Sequence, residues 1–97
     1  MPVLIQFTGD ELTEELYDQL IKEVDPVQVR ADDVGLITHV AFNTDNGFTV
    51  VDVWNSEEEF KKFAHERLQS VFSKHGLEDT AQVAPVYNVV AAEYGTV

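Results

Sequence analysis

Cysteine is absent from the 97-residue chain. That excludes a disulfide framework, a thiolate nucleophile and cysteine-ligated zinc or iron–sulfur clusters. Basic residues are scarce, with six Lys and Arg against eighteen Asp and Glu and a formal net charge of −12. Phosphate and anionic lipid headgroups are held by clustered Lys and Arg. Lys61-Lys62, the adjacent basic pair, sits among acids, so neither nucleic acid nor a membrane surface is an expected partner. Long apolar runs are also missing: none approaches the roughly 20 residues that cross a bilayer, and Met1-Pro2-Val3 opens no signal peptide. The expected location is the cytoplasm. Gly-rich phosphate loops, the serine-nucleophile elbow Gly-x-Ser-x-Gly and His-Glu-x-x-His are all absent. What the chain does have is 44% hydrophobic and 10% aromatic residues, enough to fill the core of one small domain.

No repeat, linker or low-complexity tract divides the sequence, so 1–97 reads as a single domain. Residues 3–8 (VLIQFT) form an expected first strand. Thr8 with Glu11 has capping-box spacing, and Leu12, Leu16, Leu20 and Val24, with Tyr17 and Ile21, recur at helical intervals. Asp25-Pro26 is expected to end that helix, with 27–35 an irregular stretch. Residues 36–43 (LITHVAFN) and 48–54 (FTVVDVW) read as strands joined through Thr44-Asp45-Asn46-Gly47, where Asn-Gly favours a tight turn. If those four residues form the connection, Asn43 pairs with Phe48, Ala41 with Val50 and His39 with Asp52.

Ser56 and Glu59 make a second capping box. Phe60, Phe63, Ala64, Leu68, Val71 and Phe72 then form an apolar helical face that closes at Lys74-His75-Gly76. Residues 83–94 read as a last strand with Pro85 near its start or on an edge. The order β-α-β-β-α-β predicts an α+β ferredoxin-like domain, with four antiparallel strands and both helices on one face.

Alternation along the central strands separates two sets of side chains. Leu36, Thr38, Val40, Phe42, Thr49, Val51 and Val53 are expected to face the helices. Ile37, His39, Ala41, Asn43, Phe48, Val50, Asp52 and Trp54 then occupy the open face. That second set is too apolar for bare solvent and too polar for a dry core, which points to a ligand pocket or a face covered by a second copy. His39 and Asp52 are the candidate catalytic pair, a base with its orienting carboxylate; the alternative is a structural hydrogen bond. Trp54 is a candidate ligand-stacking residue, or else packing. Gln6, Asn43, and either Tyr87 or Asn88 are further candidates for the same side. His65 and His75, ten residues apart on the second helix, share no face, and Glu57-Glu58-Glu59 lacks the alternating ligands of a calcium loop. No metal is expected.

With Val53-Trp54-Asn55-Ser56-Glu57-Glu58-Glu59-Phe60 and the strand Gly47–Trp54 in view, the chain resembles the dimeric α/β-barrel superfamily and, within it, antibiotic-biosynthesis-monooxygenase-type domains. The likeness lies in an aromatic-ended strand, a Ser-Glu cap and an early Phe on the helix, with a last strand like Pro85–Val89. The resemblance implies a homodimer joined through the open sheet face. It also implies a pocket for an aromatic or quinone-like small molecule, and oxidation by dioxygen without metal or flavin cofactor. The haem-degrading branch wants a first-strand Asn, a Trp in the second helix and a histidine near that helix's end. Gln6, Phe63 and an off-spacing His75 do not meet that pattern. The other function class is a non-catalytic dimeric binding or structural module, distinguished by a sealed interior in place of an open pocket.

Overall fold

The computed structural model describes residues 1–9, 11–45, 47–77 and 81–90. Strand β1 (Val3–Gly9) is followed by helices α1 (Glu14–Glu23) and α2 (Pro26–Ala31), and the hairpin strands are β2 (Leu36–Thr44) and β3 (Gly47–Trp54). The second helical stretch runs as α3 (Glu57–Phe63), a π-helical segment (Ala64–Leu68) and α4 (Gln69–Lys74), before β4 (Gln82–Pro85). The four strands lie in the order β2-β3-β1-β4 with every neighbouring pair antiparallel. This is the α+β ferredoxin-like arrangement, with the outer strands brought in by the two crossovers. Among the described residues no helix is long and apolar enough to cross a membrane.

Local chemistry explains most boundaries and corrects two expectations. The first helix does not start at Thr8. That residue stays in β1, where its hydroxyl is 3.1 Å from the Thr49 hydroxyl across the sheet. Thr13 is the cap instead, its Oγ1 accepting from the Leu16 amide at 3.1 Å, with Glu14 and Glu15 at the positive end of the helix dipole. The stretch after Asp25 is not irregular but a short helix. Asp25 caps it by accepting from the Val27 and Gln28 amides, and Pro26 occupies the first turn, where its missing N–H costs nothing. The proline thus ends one helix and begins the next, and α2 delivers a buried Val29 to the core. The expected cap at Ser56 forms: its Oγ accepts from the Glu59 amide at 3.2 Å and donates to Glu59 Oε1 at 2.9 Å. Gly35, with φ of +116°, lies against that capping Glu59 so closely that a Cβ would meet its carboxylate at 2.6 Å. Of the expected last strand, 91–94 lies outside the described residues; β4 ends at Pro85, followed by one further backbone bond from the Val86 amide to the Pro2 carbonyl at 3.0 Å.

The hairpin register places Asn43 against Phe48, Ala41 against Val50 and His39 against Asp52, with Thr44 opposite Gly47 and an irregularity between Leu36 and Thr38. Beyond that irregularity the two faces of the sheet are the reverse of the expectation, whereas Leu36, before it, packs against the helix-covered core as expected. Trp54 is fully buried beneath Phe60 and Phe63 of α3, and Phe7 of β1 packs on Phe60 and Phe72. Val3, Ile5, Val29, Trp54, Phe60 and Phe63 form the core cluster. The His39–Asp52–Trp54 side is therefore the helix-covered side. Val40 and Phe42 point the other way and are 51% and 40% exposed. Alternation says which residues share a face but not which face the helices choose. The aromatic rings of α3 choose the one bearing Trp54.

Candidate functional site

Beneath α1 the helices and sheet do not close on each other completely. A cavity of about 460 Å³ remains between them. Most of its wall is apolar: Phe7, Leu20, Val29, Trp54, Phe63 and Phe72 surround it, with Tyr17, His39 and Asp52 as a polar strip on one side. Tyr17, Leu20 and Ile21 of α1 arrive there together with Leu12 ahead of the helix and Val24 at its C-cap, all on the inner side of the chain. Their periodicity was legible, but they line a void rather than pack against side chains throughout.

The polar strip is a continuous hydrogen-bonded chain. Tyr17 Oη lies 2.6 Å from His39 Nε2, and His39 Nδ1 lies 2.6 Å from Asp52 Oδ1. Trp54 Nε1 donates to Asp52 Oδ2 at 3.3 Å. An ionised Asp52 only accepts, so Nδ1 of His39 carries the proton between them. A neutral imidazole then has a lone pair at Nε2, and the Tyr17 hydroxyl donates to it. The ring planes of Tyr17 and His39 are stacked at 10° with centroids 5.9 Å apart, and Phe48 supports Tyr17 at 5.1 Å. Both ends of the imidazole are thereby fixed, in the logic of a base oriented by a carboxylate. Burial pushes the Tyr17 phenol above its ordinary pKa of 10.0, reinforced by the negative charges of Asp52 and Asp18. Tyr17 accordingly stays protonated near neutrality and serves as a donor or a conduit, not as a standing anion.

The structure brings His39, Asp52 and Trp54 together on the cavity wall. The other four candidates lie elsewhere. Gln6 is on the uncovered face, where its side-chain amide donates to Thr8 Oγ1 at 3.2 Å. Asn43 is at the far end of the hairpin, bound to Glu14. Tyr87 and Asn88 follow β4 as exposed residues. Tyr17 is the residue the sequence reading missed as a site group. The available signal was a phenol on an otherwise aliphatic helix face, since a buried Tyr hydroxyl usually finds a partner. Among the described residues no group of three His, Asp or Glu side chains is placed to hold a metal ion.

No protein-family model and no curated protein matches the chain. Among solved structures it is similar to the crystal structure of a monooxygenase from the gene ActVA-Orf6 of Streptomyces coelicolor in complex with the ligand nanaomycin D. The two share 16% identity at a TM-score of 0.48, over 94% of this chain and 91% of that one.

Proposed function

We propose that the protein binds a compact hydroxylated aromatic or quinone-like molecule in the cavity and oxidises it with dioxygen, as a cofactor-independent monooxygenase. The observation that carries this reading is the Tyr17–His39–Asp52 chain set into a mostly apolar wall. A cavity of this size suits a ligand of two or three fused rings, and its polar strip offers a place for a hydroxyl. The substrate O–H meets Tyr17 Oη and passes its proton there as the Tyr17 proton moves to His39 Nε2. Asp52 stabilises the imidazolium that results, so His39 is the base, Asp52 its orienting carboxylate and Tyr17 the group in contact with substrate. Trp54 supplies a flat wall and steadies Asp52.

Loss of the phenolic proton leaves an electron-rich anion that dioxygen can oxidise. On a substrate with an activated ring methylene, a C–O bond forms to give a hydroperoxide. Its O–O bond then breaks as the neighbouring C–H proton leaves. The methylene becomes a carbonyl, one oxygen atom enters the product and the other leaves as water.

Anthrone oxidation followed by oxygen uptake tests the proposal. The expected result is stoichiometric oxygen consumption that falls by about a hundredfold or more in His39→Ala and Tyr17→Phe, the usual scale for a lost general base. Equal turnover in wild type and His39→Ala would remove the relay from the chemistry. Saturable anthrone binding with no oxygen uptake would favour the non-catalytic binding module instead.

The same reading includes a homodimer joined through the uncovered sheet face. The face that a second copy would cover is now the one bearing Val40 and Phe42, not the one bearing Trp54.

A further inference from the structure

The second helical stretch changes its pitch once, beside the cavity. At the π-helical segment Ala64–Leu68 the Gln69 amide donates to the Ala64 carbonyl five residues back, so this turn holds one residue more than an α-turn. Segments of this kind often sit at functional sites. Here the consequence is rotational. Phe60 and Phe63 of α3, with Ala64 just after it, set the inward face. On an uninterrupted α-helix at about 100° per residue, the next central inward positions would be Arg67 and Val71, while Leu68 and Phe72 would sit at the edge of that face. The observed wall contains Leu68 and Phe72. Arg67 is turned outward, where its guanidinium pairs with Asp32 Oδ2 at 2.9 Å and lies 5.9 Å from the centre of the Phe63 ring.

The result is a cavity whose wall, among the described residues, carries no Lys or Arg, but does include Glu11 and Asp52. The net charge of −12 disfavours an incoming anion, and among the described lining residues His39, the group able to carry positive charge, is already paired with Asp52.

The geometry points to a specificity determinant: the π turn keeps Arg67 out of the cavity, and the site therefore selects uncharged aromatic hydroxy compounds and rejects their carboxylates. This rests on the reading of the cavity as a ligand site, and it adds the charge class of the ligand. Burying an unpaired carboxylate is costly enough to weaken binding by about a hundredfold.

The test compares two probes of one ring system, 2-naphthol and 6-hydroxy-2-naphthoate, by calorimetric titration at pH 7. Wild type is expected to bind the naphthol and to bind the carboxylate about a hundredfold more weakly. Arg67→Ala is expected to leave that ratio unchanged, because the guanidinium faces outward, whereas Leu68→Lys should raise affinity for the carboxylate. Equal affinity of the wild type for both probes, or loss of carboxylate affinity in Arg67→Ala, would overturn the proposal while leaving the ligand site standing. Binding of neither probe would overturn both. Arg67 is exposed, so its variant tests the placement even if the Leu68 variant fails to fold.

Discussion

At the scale of single residues, the candidate site depends on two ring nitrogens of His39, each with one partner. Asp52 on one side and Tyr17 on the other leave the imidazole little freedom, and Trp54 takes the second oxygen of the carboxylate. Trp54 serves two purposes at once, because its ring is also fully buried against Phe60 and Phe63. Trp54→Ala should destabilise the fold by about 3–5 kcal/mol, the range for emptying a large aromatic site, as read from urea unfolding midpoints. A loss below about 1 kcal/mol would mean the ring is not part of the core. Tyr17→Phe separates the hydroxyl from the ring. Packing on Phe48 survives and only the donor to His39 is lost, so unfolding should shift far less than turnover. The His39–Asp52 adjacency was legible in the sequence because the hairpin loop sets register and strands alternate. Tyr17 was not: helical periodicity marks which residues point inward, but says nothing about which strand residue waits opposite them.

At the scale of elements, helix α1 roofs the cavity and is held by polar ties at both ends. Near its start Tyr17 bonds to β2. At its end Glu23 takes Lys74 Nζ at 2.5 Å and His75 Nε2 at 2.6 Å from the close of α4. The hydrogen bond from Lys74, and after it that from His75, holds the Glu23 carboxyl below its ordinary pKa of 4.5. A carboxyl whose pKa is lowered by folding stabilises the fold above its unfolded value and loses that contribution as pH falls through the lower, folded value. Glu23→Gln should therefore flatten part of the acid limb of the stability profile below about pH 4.5, with little effect on catalysis. An unchanged acid limb would show that the tie contributes nothing. The site is exposed, so the effect is expected to be small. Thr13→Ala should cost about 1 kcal/mol through the lost cap and lower hydrogen-exchange protection in α1; equal protection would place the cap elsewhere. The Thr8 cap was misread because Thr13, five residues later, takes the cap without a Glu or Gln at capping-box spacing, and a strand partner on Thr49 claimed the first hydroxyl. The π turn left no mark in the sequence, since one extra residue in a helix is invisible until the inward positions on both sides of it are known.

At the scale of the whole molecule, a four-stranded sheet has one side occupied by helices, with a cavity between, and one side bearing Val40 and Phe42 in the open. The fold class was readable from the order of elements and two well-marked connections. The assignment of faces was not, because both sets contain apolar residues and the polar ones, His39 and Asp52, belong to a roofed cavity and not to a wet surface. If a second copy covers the open side, Phe42→Glu should convert a dimer to a monomer in light scattering while leaving the core intact. A wild-type monomer at micromolar concentration would end that part of the account. The central claim is that the void beneath α1 is a ligand site built around the relay. Trp54 is the single tryptophan of the chain, it lines the cavity and its indole N–H donates to Asp52, so one signal in a ¹⁵N correlation spectrum reports on the site. On titration with 2-naphthol, that indole signal and the backbone amides of Tyr17 and His39 should move together to saturation, with the amides of Val40 and Phe42 moving far less. Saturable shifts confined to the Val40–Phe42 face, with the Trp54 indole unmoved, would contradict it.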